Sequence, residues 1–148
     1  MEKLFKKSIS RSLDAKGRLM LPPEYREGLA NGSEQGTCWI TCSNGRLVAK
    51  LPQDWDAFVE TLNGIRNPTR QIIQYRAKVI GSAEELAPDS QGRIRIPQHL
   101  IQAAGLGKDV MLLGMYDKFE IWDLETFNNI DTDDVSQDLV DRGVNLDI

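Results

Sequence analysis

The chain is poor in the residues that most catalytic and metal chemistry needs. Its single histidine, His99, sits in the polar segment PQHLIQ and reads as a helix-surface residue rather than a base. No glycine-rich phosphate loop and no ligand set at metal spacing occurs, so no cofactor, metal or small-molecule substrate is expected. The only cysteines are Cys38 and Cys42, in TCWITC. On a strand they would share a face about 13 Å apart, at about 3.3 Å per residue. A disulfide needs Cα atoms within about 7 Å. They read as small buried thiols in a reducing compartment, and a lone C-x3-C makes a poor zinc site. Apolar runs are too short for a membrane span. The start, MEKLFKKSISRS, has basic residues but no apolar region behind them, so it does not read as a signal peptide. A cytoplasmic protein is the expectation.

What the chain has is an uneven charge and a repeat. A hydrophobic fraction of 41% over 148 residues suffices for one core. The net charge of −4 hides a split: residues 1–78 hold 13 Lys/Arg against 8 Asp/Glu, and residues 79–148 hold 5 against 14. Nucleic acid responds to the local patch rather than to the sum. The first 18 residues carry Lys3, Lys6, Lys7, Arg11, Lys16 and Arg18 against Glu2 and Asp14. From Asp131 onward come 6 acids and 1 base, a composition that reads as a mobile or late-docking tail.

The segment DAKGRLMLPPEYREGLA from Asp14 returns 75 positions later as DSQGRIRIPQHLIQAAG. Asp14, Gly17, Arg18 and Pro22 fall on Asp89, Gly92, Arg93 and Pro97, and Leu19 and Leu21 fall on Ile94 and Ile96. Each copy continues with a short proline-opened helix. An apolar run follows (TCWITC, then DVMLLG), then a turn, a further strand (SNGRLVAKL, then YDKFEIWD) and a helix. Asn44-Gly45 is a hairpin signal, because both residues tolerate positive φ. DWDAFVETL places Trp55, Phe58, Val59 and Leu62 on one stripe, and DLETFNNI is its shorter counterpart. Between the copies, Asn67 and Pro68 read as N-cap and first position of a helix through Ile72, Ile73, Arg76, Val79 and Ile80 to Gly81.

The chain is therefore expected to be mainly β with short α-helices, an α+β protein. Residues 1–132 form one domain of two repeats (about 5–63 and 82–130) joined by a helical connector at 67–81, and 133–148 form the acidic tail. A four-strand unit cannot bury both faces alone, whereas two copies can pair into a barrel with approximate two-fold symmetry. Alternation in GRLML and GRIRI turns Leu19, Leu21, Ile94 and Ile96 inward and Arg95 outward. Glycine before each arginine permits a left-handed turn, and each aspartate can accept turn N–H groups or pair with its arginine. One such turn alone reads as a capped hairpin with solvated charges. Two related by symmetry would bring Arg18 and Arg93 to one end of the barrel, with Lys16, Lys7 and Arg11 available for phosphates.

Asp14-Ala15-Lys16-Gly17-Arg18 and Asp89-Ser90-Gln91-Gly92-Arg93 resemble the Asp-x-x-x-Arg signature that the MraZ family carries twice. The P-x-x-Y-R-E helix, MLLGMYDKFEIWD and the length are similar as well. The resemblance covers all but the acidic tail. It implies a pseudo-two-fold, double-split β-barrel of two tandem AbrB-like swapped-hairpin repeats. It also implies a nucleoid-associated regulator that binds direct repeats in the promoter of the division and cell-wall operon. A ring-shaped homo-oligomer, octamer or dodecamer, is implied too. Arg18 and Arg93 carry over as DNA contacts, with Lys16, Lys7, Arg11 and Arg95 around them. Gln91 departs from the pattern, standing where the first copy has Lys16, so the second turn is expected to grip phosphate less strongly. Oligomer seams would draw on Trp55, Phe58, Leu62, Ile72, Ile73 and Ile80, unless these only cover the barrel.

Two other classes compete. A duplicated barrel with one aspartate per half resembles an aspartic-type hydrolase, in which two carboxylates share a proton. An arginine four residues after each aspartate would keep both ionised, against that reading. An antitoxin-like or scaffold protein would instead use IDTDDVSQDLVDRGVNLDI to grip a partner.

Overall fold

The computed structural model describes residues 4–147. Lys3 and Glu2, counted above in the N-terminal charge, and Ile148 of the tail lie outside them. The elements run in two parallel series. The first comprises β1 (Ile9–Ser12), β2 (Arg18–Met20), α1 (Pro23–Gly32), β3 (Cys38–Ser43), β4 (Arg46–Lys50) and α2 (Pro52–Asn63). After α3 (Arg70–Gly81) come β5 (Glu84–Leu86), β6 (Arg93–Arg95), α4 (Gln98–Ala103), β7 (Asp109–Gly114), β8 (Lys118–Asp123) and α5 (Leu124–Asn128). A final helix, α6 (Ser136–Asp141), lies in the acidic tail.

The strands form a six-stranded sheet ordered β1-β7-β8-β4-β3-β5 and a two-stranded ribbon, β2-β6, with every pair antiparallel. Exchanging the halves (β1 for β5, β2 for β6, β3 for β7, β4 for β8) leaves both orders unchanged. The repeat is thus a symmetry of the pairing: β1 crosses to β7 of the second half, and β5 crosses back to β3 of the first. Neither half completes its own sheet, which is the physical reason for the duplication. Among the described residues the hydrogen bonding gives two open sheets, so a closed barrel is not what the pairing forms.

The two sheets close on one core. Alternation sends Leu19 and Ile94 of the ribbon inward, both fully buried and paired with each other. Leu21, Ile96, Leu100 and Leu29 join them, with Ile40, Leu47, Val110, Leu112 and Ile121 from the larger sheet. Phe5, Tyr25 and Phe119 pack within 5.0–5.5 Å of one another, and the Tyr25 hydroxyl donates to the Lys7 carbonyl. Each fully buried large side chain of this kind contributes about 1.5–3 kcal/mol.

Local chemistry sets the helix ends. Pro23 is the first residue of α1, while Pro97 flanks α4 at the cap position. Asp123 caps α5 by accepting the Thr126 N–H at 3.2 Å. The connector starts later than the Asn67-Pro68 pair suggests: Thr69 is the N-cap of α3, its hydroxyl accepting the Ile72 N–H at 3.2 Å. Asn67 takes φ +48°, a left-handed turn that a helix cap does not use. Arg76 fastens α3 to the end of α2 through the carbonyls of Leu62 and Ile65, at 2.8 and 2.9 Å. Trp55 is buried and stacks on Trp39 at 5.6 Å, so it serves the core rather than an outer seam, whereas Ile73 is 53% exposed. Asn44 and Gly45 both have positive φ, as the hairpin signal requires. Cys38 and Cys42 are unbridged, and burial pushes the Cys38 thiol up to about 12.

Candidate nucleic-acid interface

Each Asp-x-x-Gly-Arg turn is built around one carboxylate. Asp14 Oδ1 accepts the N–H of Lys16 at 2.9 Å and of Arg18 at 2.8 Å, while Oδ2 accepts Arg18 Nε at 2.6 Å. The second turn repeats this: Asp89 Oδ1 accepts from Gln91 and Arg93 at 2.9 Å each, and Oδ2 accepts Arg93 Nε at 3.1 Å. The Arg18 N–H, with the Arg18 guanidinium and the Lys16 N–H behind it, holds the Asp14 carboxyl down at about 2. The Arg93 N–H, followed by that of Gln91 and the Arg93 side chain, lowers Asp89 in the same way. Both aspartates therefore stay ionised and position the arginines.

Glycine is required at the turns because the chain turns left-handed there, with φ of +77° at Gly17 and +82° at Gly92. It also lets the other repeat approach. The Gly17 carbonyl accepts the Ile96 N–H at 2.9 Å, and the Gly92 carbonyl accepts the Leu21 N–H at 3.1 Å. Each turn is thereby tied to the strand of the other half, one at each end of the ribbon.

The ribbon register sets where Arg18 and Arg93 stand relative to one another. In the ribbon Arg18 pairs with Arg95, and Arg93 pairs with Met20. Paired residues share a face, so Arg18, Met20, Arg93 and Arg95 all point away from Leu19, Ile94 and the core. Arg18 and Arg93 are diagonal neighbours, on the order of 7–8 Å apart at Cα. Their side chains are 32% and 25% exposed, and Arg95 is exposed. Only Nε of Arg18 and of Arg93 is held by its aspartate, and among the described residues their terminal nitrogens have no acceptor. The result is an outward face with three guanidiniums, two of them aimed by carboxylates.

Lys16 is exposed in the first turn, beside this face. Lys7 and Arg11 stand elsewhere, on and before the edge strand of the larger sheet. Lys7 lies 3.8 Å from Glu24, with both side chains well exposed, a weak pair. Arg11 pairs in register with buried Val110, and its Nε is buried without a partner. The turn carboxylates sit at opposite ends of the ribbon, each bound to its own arginine, an arrangement unlike a shared-proton dyad. His99 Nε2 lies 2.9 Å from the Ser82 carbonyl and 3.5 Å from Glu84, on the surface. Sequence reading takes Arg26 only as part of the P-x-x-Y-R-E helix and gives it no role, whereas its guanidinium lies against Gly92. The alignment of the two copies puts Ile101 at that position, so a within-copy comparison gives no signal for it.

A duplicated, strand-exchanged α+β protein that presents an arginine face on a two-stranded ribbon is the class the fold and site define. Comparisons agree with the motifs. A family model described as "MraZ protein, putative antitoxin-like" matches residues 79–142. "Transcriptional regulator MraZ" of Nitratidesulfovibrio vulgaris strain Hildenborough is 43% identical over 97% of this chain and 98% of its own length. The proteins of that name from Nitrosomonas europaea and Enterobacter sp. strain 638 are 38% and 33% identical, over 87% and 95% of this chain and 88% and 93% of theirs. The chain belongs to the MraZ family.

Proposed function

We propose that this protein is a transcriptional regulator that binds double-stranded DNA with the outer face of the β2-β6 ribbon. The observation that carries this is the presence of Arg18, Arg93 and Arg95 on one exposed face, two of them oriented by ionised aspartates. A guanidinium held at Nε keeps its outer nitrogens free for the N7 and O6 edge of guanine, or for phosphate. Arg18 and Arg93 read bases, Arg95 and Lys16 meet the adjoining phosphates, and Lys7 and Arg11 hold the flanking backbone. Base contacts of this kind are worth about 1–3 kcal/mol each, and phosphate contacts set register without reading sequence.

The two open sheets are proposed to be the halves of a double-split barrel, with residues 1–132 as one unit and 133–148 as an appendage. Few cations per chain make a single copy a weak binder. A ring-shaped homo-oligomer of eight or twelve chains, each on one of several direct repeats in a promoter, gains avidity without new contacts. The division and cell-wall operon is the proposed target, the role non-enzymatic, and the location the cytoplasm at the nucleoid. Among the described residues no helix is long and apolar enough to cross a membrane.

Footprinting upstream of the protein's own gene tests the reading. Wild type should protect spaced boxes, and Arg18→Ala should lose them. Equal protection by both would remove Arg18 from this role. A second reading, that the tail grips another protein, draws on its exposed apolar side chains (Val135, Val140, Val144, Leu146) among acids. Deleting residues after Asp131 would then change captured partners and leave DNA affinity intact.

A further inference from the structure

The two turns differ in how cations reach them. The first has Lys16 in its loop, and Ile101 from α4 packs against Gly17, 3.1 Å from where a Cβ would stand. The second has Gln91 in its loop, and Arg26 from α1 packs against Gly92. A Cβ there would lie 2.5 Å from Arg26 Cδ and Nη1 and 2.8 Å from Cζ, so the guanidinium rests on the turn itself. Arg26 and Ile101 are counterparts, 75 positions apart. The exchange is reciprocal: where the second turn lacks a lysine, the other half supplies an arginine.

Arg26 is half-buried. Its Nε is buried with no hydrogen-bond partner, and among the described residues no carboxylate lies within ion-pair distance of it. Every other turn cation at this ribbon is either exposed, as Lys16 is, or held by an aspartate. The terminal nitrogens of Arg26 are not among the buried unpartnered atoms, so they, unlike Nε, are open to an anion. The absent side chain at Gly92 is what lets the guanidinium lie against the turn at the ribbon's end.

We infer that Arg26 is the DNA-phosphate contact of the second turn, supplying in space the cation that Gln91 fails to supply in sequence. This rests on the DNA-binding reading above and extends it to a residue outside both motifs. The two turns then carry equal charge, Lys16 with Arg18 and Arg26 with Arg93. It follows that the second turn is not the weaker phosphate site its sequence suggests.

The test uses the full chain with two duplexes, the region upstream of its own gene and an unrelated sequence of equal length, across a salt series. Arg26→Met should weaken both duplexes alike, about tenfold at low salt. It should also reduce the slope of log K against log salt by about 0.9 for each phosphate no longer neutralised. Arg26→Met/Gln91→Lys should recover most of that affinity and slope, because it moves the cation to the place Lys16 occupies in the first turn. If the methionine loosens the turn, Arg26→Gln repeats the measurement with a polar side chain. Wild-type binding by the Arg26 variants, or a weakening that Gln91→Lys fails to repair, would show that Arg26 only props the turn. Arg18→Ala separates the two claims. If it loses the upstream duplex while Arg26→Met binds normally, the Arg26 assignment alone falls. If it too binds as wild type, the ribbon-face reading falls with it.

Discussion

The first and second Asp-x-x-Gly-Arg turns make the same set of hydrogen bonds, differing most at the arginine Nε (2.6 against 3.1 Å), yet they are embedded differently. In the first, the backbone carbonyl of Ile96 presses on Gly17; in the second, the flexible end of Arg26 rests on Gly92. The first repeat is also flanked by two twelve-residue helices, α2 and α3, whereas the second ends in the five-residue α5. The comparison teaches that both halves keep the carboxylate-held arginine, which fixes the functional geometry. The surroundings differ, and exchange between halves makes up the difference.

The largest expected effects probe what the halves share. Leu19→Ala and Ile94→Ala remove fully buried, mutually paired side chains, and each should destabilise by about 2–5 kcal/mol. Denaturant melts that gave the two very different values would break the symmetry of the core. The next sharpens the contrast between turns. Gly17→Ala should destabilise by about 2–3 kcal/mol, from a strained φ and a rigid backbone carbonyl 2.9 Å from the new Cβ. Gly92→Ala should cost about 1 kcal/mol less, because the Arg26 side chain can move aside. Thermal unfolding of both variants decides the order.

A smaller effect concerns pH. The Asp14 carboxyl is lowered from 3.8 to about 2 in the folded chain, so its stabilisation is fully present above 3.8 and is lost as pH falls toward 2. Asp89 is lowered in the same direction, so its stabilisation is likewise present above 3.8 and lost on further acidification. Urea midpoints should therefore decline through that window in wild type and less steeply in Asp14→Asn. Identical slopes would show that the turn bonds are not maintained in solution. Smallest of all, deleting residues after Asp131 should leave stability within about 0.5 kcal/mol of wild type in urea melts, because the side chains described there are almost all exposed.

Much of the fold and site is legible in the sequence, for local reasons. The glycine-arginine turns, the hairpin at Asn44-Gly45, the inward pair Leu19 and Ile94, and the outward Arg95 each follow from residue chemistry over a few positions. The connector's start is ambiguous because Asn67 and Thr69 are both capable caps, and only the path of the chain through Pro68 chooses between them. Where Arg18 stands relative to Arg93 depends on β2 pairing antiparallel with β6, a register that no short-range signal encodes. The helix in the tail, α6, leaves little trace because the acidic composition there outweighs a weak apolar spacing. The place of Arg26 against the second turn is hidden for a related reason: a comparison of copies aligns it with Ile101, while its neighbour in space belongs to the other copy.

The central claim is that the outer face of the β2-β6 ribbon lies on DNA, and contact can be read there directly. A photo-crosslinking side chain placed at Met20, between the arginines and 39% exposed, should attach to a duplex carrying the upstream boxes, and the same group at exposed Thr61 on α2 should not. Crosslinking from Thr61 with none from Met20 would contradict the account.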